Sequence, residues 1–290
     1  MKKIILLIFL AAAAYGIYLL YQKPGNSQLL TPRPVDYINF PIKKNPAGYF
    51  RTIKTVVFSL PADPVKKNNT ELIKSSIESA LKDDIDLKLI VFGEASLGSY
   101  IGGNKYMRGI AETIPGNFTN MLAGYTIRYN IYIAAGLIEA KDRKLYNSFI
   151  VVNPEGKIEA VHRKMLLSSI DESNGISKAG FNFQVADVDG FRCGIAIGDE
   201  INDRKLWEEY QKENLDAVIN PSSADIPWIS RWLDYWPYGK IYNSWIISPG
   251  RWGVEGEQIY NGTIFICSPD GYLNYSDKQG YNKLVGLIGK

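Results

Sequence analysis

Short apolar runs alternating with stretches of helical periodicity constrain this chain's fold more than any other feature. TVVFSL at 55–60 and LKLIVF at 87–92 bracket the helical pattern TELIKSSIESALKD at 70–83. FTNMLAGYTIRYN at 118–130 then leads into IYIAAGLI at 131–138 and SFIVV at 148–152. Strands separated by helices imply a sheet with helices on its face. The second half repeats the alternation with FQVADV, CGIAI, the helical NDRKLWEEYQKEN, DAVIN and TIFIC. VVNPEGKIEAV and FICSPDGYLNY each set Pro, an acid and Gly between β-prone runs, as tight turns require. Helix-linked strands together with hairpins predict an α/β chain with mixed strand directions.

The N-terminus carries a compartment signal. Residues 4–21 (IILLIFLAAAAYGIYLLY) hold no charge, and 18 residues of helix cover about 27 Å, nearly a bilayer core. Lys2 and Lys3 ahead of it predict a cytoplasmic N-terminus and a membrane-anchored domain outside the cytoplasm. A cleaved signal peptide, leaving a secreted domain, is the rival, because AAAA at 11–14 resembles a cleavage region. Residues 22–49 contain five prolines and little periodicity, as a tether would. The expected organisation is therefore an anchor at 1–21, a tether at 22–49 and one folded domain at 50–290.

Net charge is +3 without long single-sign runs, so nothing marks a nucleic-acid surface. Two cysteines, Cys193 and Cys267, and the lone His162 argue against a disulfide scaffold and a Cys/His zinc site. His162, in EAVHRKML, reads as a structural histidine at a strand end. Ionisable residues instead stand where apolar strands finish, the positions that line a crevice in α/β sheets. LIVFGEASLGSY puts Glu94 after one strand, YNSFIVVNPEGKIEAVHRKMLLSSIDE puts Lys164 after a hairpin with Glu172 eight residues on, and FRCGIAIGDE ends a strand at Gly198. A carboxylate can take and return a proton, and an ammonium can stabilise an oxyanion. Taken singly, each of these residues is ordinarily a surface or salt-bridge residue.

Together the segments resemble the carbon-nitrogen hydrolase, or nitrilase, superfamily from about residue 53 to 275. The resemblance rests on LIVFGEASLGSY, AETIPGNFTNMLAGYTIRYNIYIAAGLIE, YNSFIVVNPEGKIEAVHRKMLL, DAVINPSS and YNGTIFICSPDGYL, in order. It implies a four-layer α-β-β-α sandwich, with Glu94 as general base, Lys164 at the oxyanion position and Glu172 as a supporting glutamate. The spacing from Lys164 to Glu172 is closest to the membrane N-acyltransferases, while a single anchor suits a tethered amidase. The resemblance implies no metal and no organic cofactor, an amide or acyl compound as ligand, and a homodimer paired about a sheet edge.

The family's nucleophile is a cysteine four residues after the glycine of a Gly-(apolar)3-Cys run. Gly194, Ile195, Ala196 and Ile197 fit that run and Glu200 fits its acid, but Gly198 holds the cysteine's place. Cys193, five residues back along the strand, falls on the opposite face. Asp199 could serve only with a backbone rotation, and Ser222 has no motif position. Losing the nucleophile of a triad hydrolase costs on the order of 10^6 in turnover. Two expectations follow: a pseudoenzyme with a binding or assembly role, or an active amidase or acyltransferase in which Gly198 replaces an original cysteine or another nucleophile acts. A structural protein of unrelated fold is a third. The aromatic cluster Trp228, Trp232, Tyr235 and Trp236 either walls a pocket or packs a core.

Overall fold

The computed structural model describes residues 51–290 apart from 62, 84–85, 224–227 and 277–281, and the side chains of 228–233 are also left aside. The apolar segment 4–21 and the tether 22–49 lie outside the described residues, and no helix among those described is long and apolar enough to cross a membrane.

Two sheets form. The larger is built from β1 (Thr52–Pro61), β2 (Leu87–Val91), β3 (Tyr132–Lys141), β4 (Lys144–Val152), β5 (Ile158–Arg163), β10 (Arg251–Glu255), β11 (Gln258–Asn261) and β14 (Asn282–Gly289). Its order is β11-β10-β1-β2-β3-β4-β5, with β14 also on β1. The smaller sheet has the order β13-β12-β9-β8-β7-β6. Its strands are β6 (Val185–Val188), β7 (Phe191–Ile195), β8 (Ala217–Ile219), β9 (Trp245–Ser248), β12 (Ile264–Cys267) and β13 (Leu273–Ser276). Parallel and antiparallel pairs coexist in each sheet, as the mixture of helical crossovers and hairpins requires.

Side-chain alternation sorts the core into layers. Val57, Leu89, Val91 and Phe149 of the larger sheet meet Cys193, Ile195, Ala217 and Ile247 of the smaller one, forming a buried seam between the sheets. On the outer face of the larger sheet, Val56, Phe58 and Ile90 pack against Ile73 and Ile77 of α1 (Lys66–Asp83) and Leu122 of α3 (Asn117–Tyr129). On the outer face of the smaller sheet, Ala196, Val218 and Ile246 pack against Trp207 and Tyr210 of α5 (Arg204–Lys212) and Tyr235 and Trp236 of α6 (Trp228–Ile241). The result is an α-β-β-α arrangement, and each large apolar side chain it buries contributes about 1.5–3 kcal/mol.

Several elements lack a clear sequence pattern. The helix α2 (Gly103–Ile110) is short and polar, the hairpin β10–β11 has exposed Val254 and Ile259, and β14 is interrupted by Gly286. The tertiary context forms β14: it pairs antiparallel with β1 from Thr52↔Gly289 to Ser59↔Asn282.

One glycine marks where the sheet must approach the loop after β2. A Cβ on Gly136 would lie 2.7 Å from both Gly93 O and Ala95 N, and 2.9 Å from Glu94 Cα. Gly136→Ala should therefore destabilise the fold by about 1–3 kcal/mol, since backbone has to move. Gly124→Ala, on α3 with nothing within 4 Å, should stabilise by up to about 1 kcal/mol through helix propensity. Urea denaturation midpoints moving in opposite directions are the expected result; equal midpoints would contradict the packing described.

Candidate active site

The ends of β2 and β5 in one sheet and of β7 and β8 in the other converge on a single buried cluster. Beyond β2 the chain stays laced to β3 by Phe92 N–H to Ala134 O at 2.8 Å and Ser96 N–H to Gly136 O at 2.9 Å. Between them Ala95 adopts φ 47°, a left-handed conformation that costs a non-glycine residue roughly 1–3 kcal/mol. Glu94, beside that turn, is 3% exposed. Lys164 leaves β5 with its N–H bonded to Asn147 O at 2.8 Å.

Lys164 Nζ donates to Glu94 Oε1 and Asp171 Oδ2, both at 2.9 Å, and stands 3.2 Å from Tyr100 Oη. The Tyr100 hydroxyl donates to Asp171 Oδ1. Asn147 Nδ2 donates to Glu94 Oε1 at 2.7 Å, and the Ser223 N–H donates to Glu94 Oε2 at 2.9 Å. Burial opposes the Lys164 charge, but the carboxylates facing it win and hold the ammonium well above the usual lysine range. Burial likewise pushes Asp171 up, but the Lys164 charge with hydrogen bonds from Tyr100, Lys164 and Ser168 outweighs it and holds the carboxyl below its ordinary range. Burial first, and the Glu94 charge second, raise the Tyr100 hydroxyl well above the usual tyrosine range.

Gly198 completes the geometry from the other sheet. It follows β7 with φ 58°, and its N–H donates to Pro221 O at 2.9 Å. The Asn220 amide, from the DAVINPSS segment, donates to Ala196 O at 2.6 Å and Gly198 O at 2.9 Å. A Cβ at position 198 would stand 3.4 Å from Lys164 Nζ and 3.7 Å from Lys164 Cε, with no third contact within 4 Å among the described residues. A side chain there would reach the ammonium without a clash.

Glu172 is not part of this cluster. It is exposed, and the second carboxylate that meets Lys164 is that of its neighbour Asp171, which is fully buried. The cause is the capping of α4 (Ser169–Ser173). Ser168 is the N-cap and Asp171 the N3 residue, with Asp171 Oδ2 accepting from Ser168 N–H at 2.9 Å and Ser168 Oγ–H at 2.8 Å. That box turns Asp171 inward, and the next residue, about 100° further round the helix, faces solvent.

The other residues raised from sequence take definite places. Cys193 lies in the seam between the sheets and Cys267 under α6, and burial pushes both thiols up. Asp199 keeps solvent access at the site's edge, and partial desolvation raises its carboxyl, with Glu94 and Asp171 adding to the rise against the pull of Lys164. On α6, burial and the Asp199 charge push Asp234 up to about 6. Ser222 is buried, its N–H 3.4 Å from Pro249 O. Tyr235 and Trp236 are core residues, with Trp236 Nε1–H donating to Ser268 O at 2.9 Å; the side chains of Trp228 and Trp232 lie outside those described.

His162 and Glu200 are both fully buried, with His162 Nε2 2.7 Å from Glu200 Oε2. Glu200 also accepts from the Ile197 N–H at 2.8 Å and from the Met165 and Leu166 N–H groups. It thereby ties the turn carrying Gly198 to the loop carrying Lys164. Among the described residues no group of three or more His, Cys, Asp or Glu side chains is arranged to hold a metal ion.

Sequence reasoning missed Tyr100, Asn147, Asp171 and Ser223. All four lie within LIVFGEASLGSY, YNSFIVVNPEGKIEAVHRKMLLSSIDE and DAVINPSS, but only the fold turns them towards Lys164 and Glu94.

The sequence pattern of the carbon-nitrogen hydrolase family matches residues 61–273. Omega-amidase NIT3 of Saccharomyces cerevisiae is 31% identical over 242 residues, covering 79% of this chain and 78% of its own. Omega-amidase NIT2 of Bos taurus is 27% identical over 184 residues, covering 60% of this chain. The match spans 65% of that bovine protein and 60% of its Xenopus tropicalis counterpart, less than two thirds of either. Among solved structures, a carbon-nitrogen hydrolase from Helicobacter pylori superposes with TM-score 0.74 at 16% identity, covering 82% of this chain and 89% of that one. Saccharomyces cerevisiae Nit3 superposes with TM-score 0.72 at 20% identity, covering 83% and 91%.

Asp171→Asn leaves Lys164 and Glu94 in a broken buried network and should cost about 3–5 kcal/mol at pH 7. Glu172→Gln, on the exposed side, should stay within about 0.5 kcal/mol. Because the folded carboxyl of Asp171 lies below its unfolded value, its stabilisation is complete above about pH 4 and is lost as pH falls through the folded value. Chemical denaturation across pH 3–7 should therefore show the gap between the native chain and Asp171→Asn closing only at the acid end. A constant gap, or a comparable loss in Glu172→Gln, would contradict the assignment.

Proposed function

Because this chain belongs to the carbon-nitrogen hydrolase family, matched over residues 61–273, we propose that it keeps the family's acid–base machinery without the family's nucleophile. Glu94 is the general base, Lys164 the oxyanion-stabilising cation and Asp171 the supporting carboxylate. Gly198 occupies the nucleophile position, so the protein binds an amide or acyl compound and does not turn it over through a covalent intermediate. One observation carries this reading: a Cβ at 198 would stand in van der Waals contact with Lys164, 3.4 Å from Nζ. The positive φ at 198 supports it further, since glycine accepts that conformation without strain whereas a cysteine would bear about 1–3 kcal/mol.

The covalent route needs a heteroatom that glycine does not supply. With a cysteine, Glu94 would take the thiol proton and the sulfur would attack the amide carbonyl. Lys164 would hold the oxyanion, ammonia would leave with the transferred proton, and water would then release the acid from the thioester. Without it, the base and the cation have a ligand to hold but no acyl group to receive.

A second reading is an active amidase in which Gly198 replaces an original cysteine or another nucleophile acts. The observation favouring it is the complete hydrogen bonding of Glu94, Lys164 and Asp171, an arrangement whose burial is costly to retain for fold alone. The relatives' name, omega-amidase, makes a terminal amide the first substrate to try. The N-acyltransferase reading loses its spacing argument, because Glu172 faces solvent. We also keep the membrane anchor at residues 4–21 and an extracytoplasmic domain as part of the proposal, on the sequence alone, with a homodimer as its assembly.

Gly198→Cys, assayed against amides, nitriles and acyl donors, should gain turnover that the native chain lacks, and Glu94→Gln in that background should abolish it. Turnover by the native chain that Glu94→Gln removes would overturn the first reading in favour of the second. For the anchor, the full chain should sediment with membranes and remain there in carbonate at high pH. Release into the soluble fraction would remove the anchor and leave the cleaved-signal alternative.

A further inference from the structure

Arg251 and Glu255 stand four residues apart on β10, hence on one face of the strand, and each is 5% exposed. Arg251 Nε donates to Glu255 Oε1. The rest of the guanidinium is spent on the loop after β2: one terminal nitrogen donates to Glu94 O and Ala95 O, both at 3.2 Å, and the other to Gly98 O. Glu255 Oε2 accepts from Ser99 Oγ–H at 2.6 Å and from the Tyr100 N–H. A single ion pair thus grips five residues of one loop, and the two at its ends, Glu94 and Tyr100, are those whose side chains meet at Lys164.

This grip joins other bonds to the loop: Asn69 Nδ2 donates to Leu97 O at 3.4 Å, the Ser99 N–H donates to Tyr106 Oη at 2.8 Å and Asn174 Nδ2 donates to Tyr100 O at 2.5 Å. The β3 lacing ends at Ser96, and Ala95 is held in the left-handed region, a conformation that persists only when its surroundings over-determine it. An apolar pair of similar size would fill the space under the loop at lower desolvation cost, but it could not bind three carbonyls and two donors. Arginine's planar fork, with five N–H donors, suits the three carbonyl contacts.

We infer that the Arg251–Glu255 pair is a positioning clamp, fixing where the Glu94 carboxylate and the Tyr100 hydroxyl stand around Lys164 without itself touching the reacting centre. The inference rests on the reading of Glu94 as the working base of this site. It assigns Arg251 and Glu255 as positioning residues, acting through the loop backbone.

The Ser223 amide supplies a readout that a merely structural role would not move. It donates to Glu94 Oε2 from the other sheet, and neither Arg251 nor Glu255 contacts it. Arg251→Met combined with Glu255→Gln removes both charges together, so that neither is left buried and unpaired. In the full chain, hydrogen exchange followed residue by residue should show the Ser223 amide exchanging at least about tenfold faster, with the amides of Ala217–Ile219 and of Ser222, which donates to Pro249 O just before β10, unchanged. If the double variant does not fold, Arg251→Lys keeps the ion pair but gives up the fork on the carbonyls, and it should show the same selective loss in smaller measure. Faster exchange confined to β10, β11 and the 94–100 loop, with Ser223 as protected as in the native chain, would overturn the clamp. The readout needs no reaction at position 198, so failure of the clamp appears at Ser223 and failure of the proposed function appears only in the Gly198→Cys assays.

Discussion

A buried ammonium between two buried carboxylates is the constraint on which the rest of this site depends. Lys164, Glu94 and Asp171 are each at most 5% exposed, and charges so placed are tolerated only when paired and fully hydrogen-bonded. Glu94 comes from the turn after β2 and Asp171 from α4, just beyond Lys164 in the chain, so the fold must bring both carboxylates to 2.9 Å from one nitrogen. The strained turn at Ala95, the capping box at Ser168 and the register of β4 and β5 can all be understood as answers to that demand. Tyr100, Asn147 and the Ser223 amide then satisfy the lone pairs the two carboxylates have left.

The second sheet is joined to this cluster by the Ser223 N–H on Glu94 and by the Glu200 carboxylate beneath Lys164. Glu200 bridges the 197 turn to the 165–166 loop, and Asn220 fixes the strand end that presents Gly198. Position 198 is thereby fixed next to Lys164, where a Cβ would stand 3.4 Å from Nζ. The same φ that would strain a cysteine costs glycine nothing. Glycine therefore meets the backbone geometry of this turn without strain, and the surrounding charges keep their partners.

Much of this was readable in the amino-acid order because strand ends and motif spacing are local properties. Glu94 and Lys164 follow apolar runs directly, and the residue at 198 follows from counting along GIAIG. Asp171 was not, because choosing between it and Glu172 depends on which one the helix cap turns inward, a difference of one residue in a five-residue helix. Arg251 and Glu255 gave no signal, since a charged pair in RWGVEGEQ looks like surface until the loop it grips is in place. The strand β14 was hidden for a related reason: Gly286 breaks its apolar pattern, and pairing with β1 restores it.

The proposed function requires a site assembled around position 198 that lacks only the reacting atom. Its most direct test is labelling with 2-chloroacetamide, an amide-shaped alkylating agent, followed by mass spectrometry of the native chain and of Gly198→Cys. The expected result is a single adduct at residue 198 in the variant, none in the native chain, and labelling slowed about 10^2-fold or more when Glu94→Gln removes the base. An adduct in the native chain on Asp199 or another residue of the cluster, or labelling at 198 indifferent to Glu94, would contradict it.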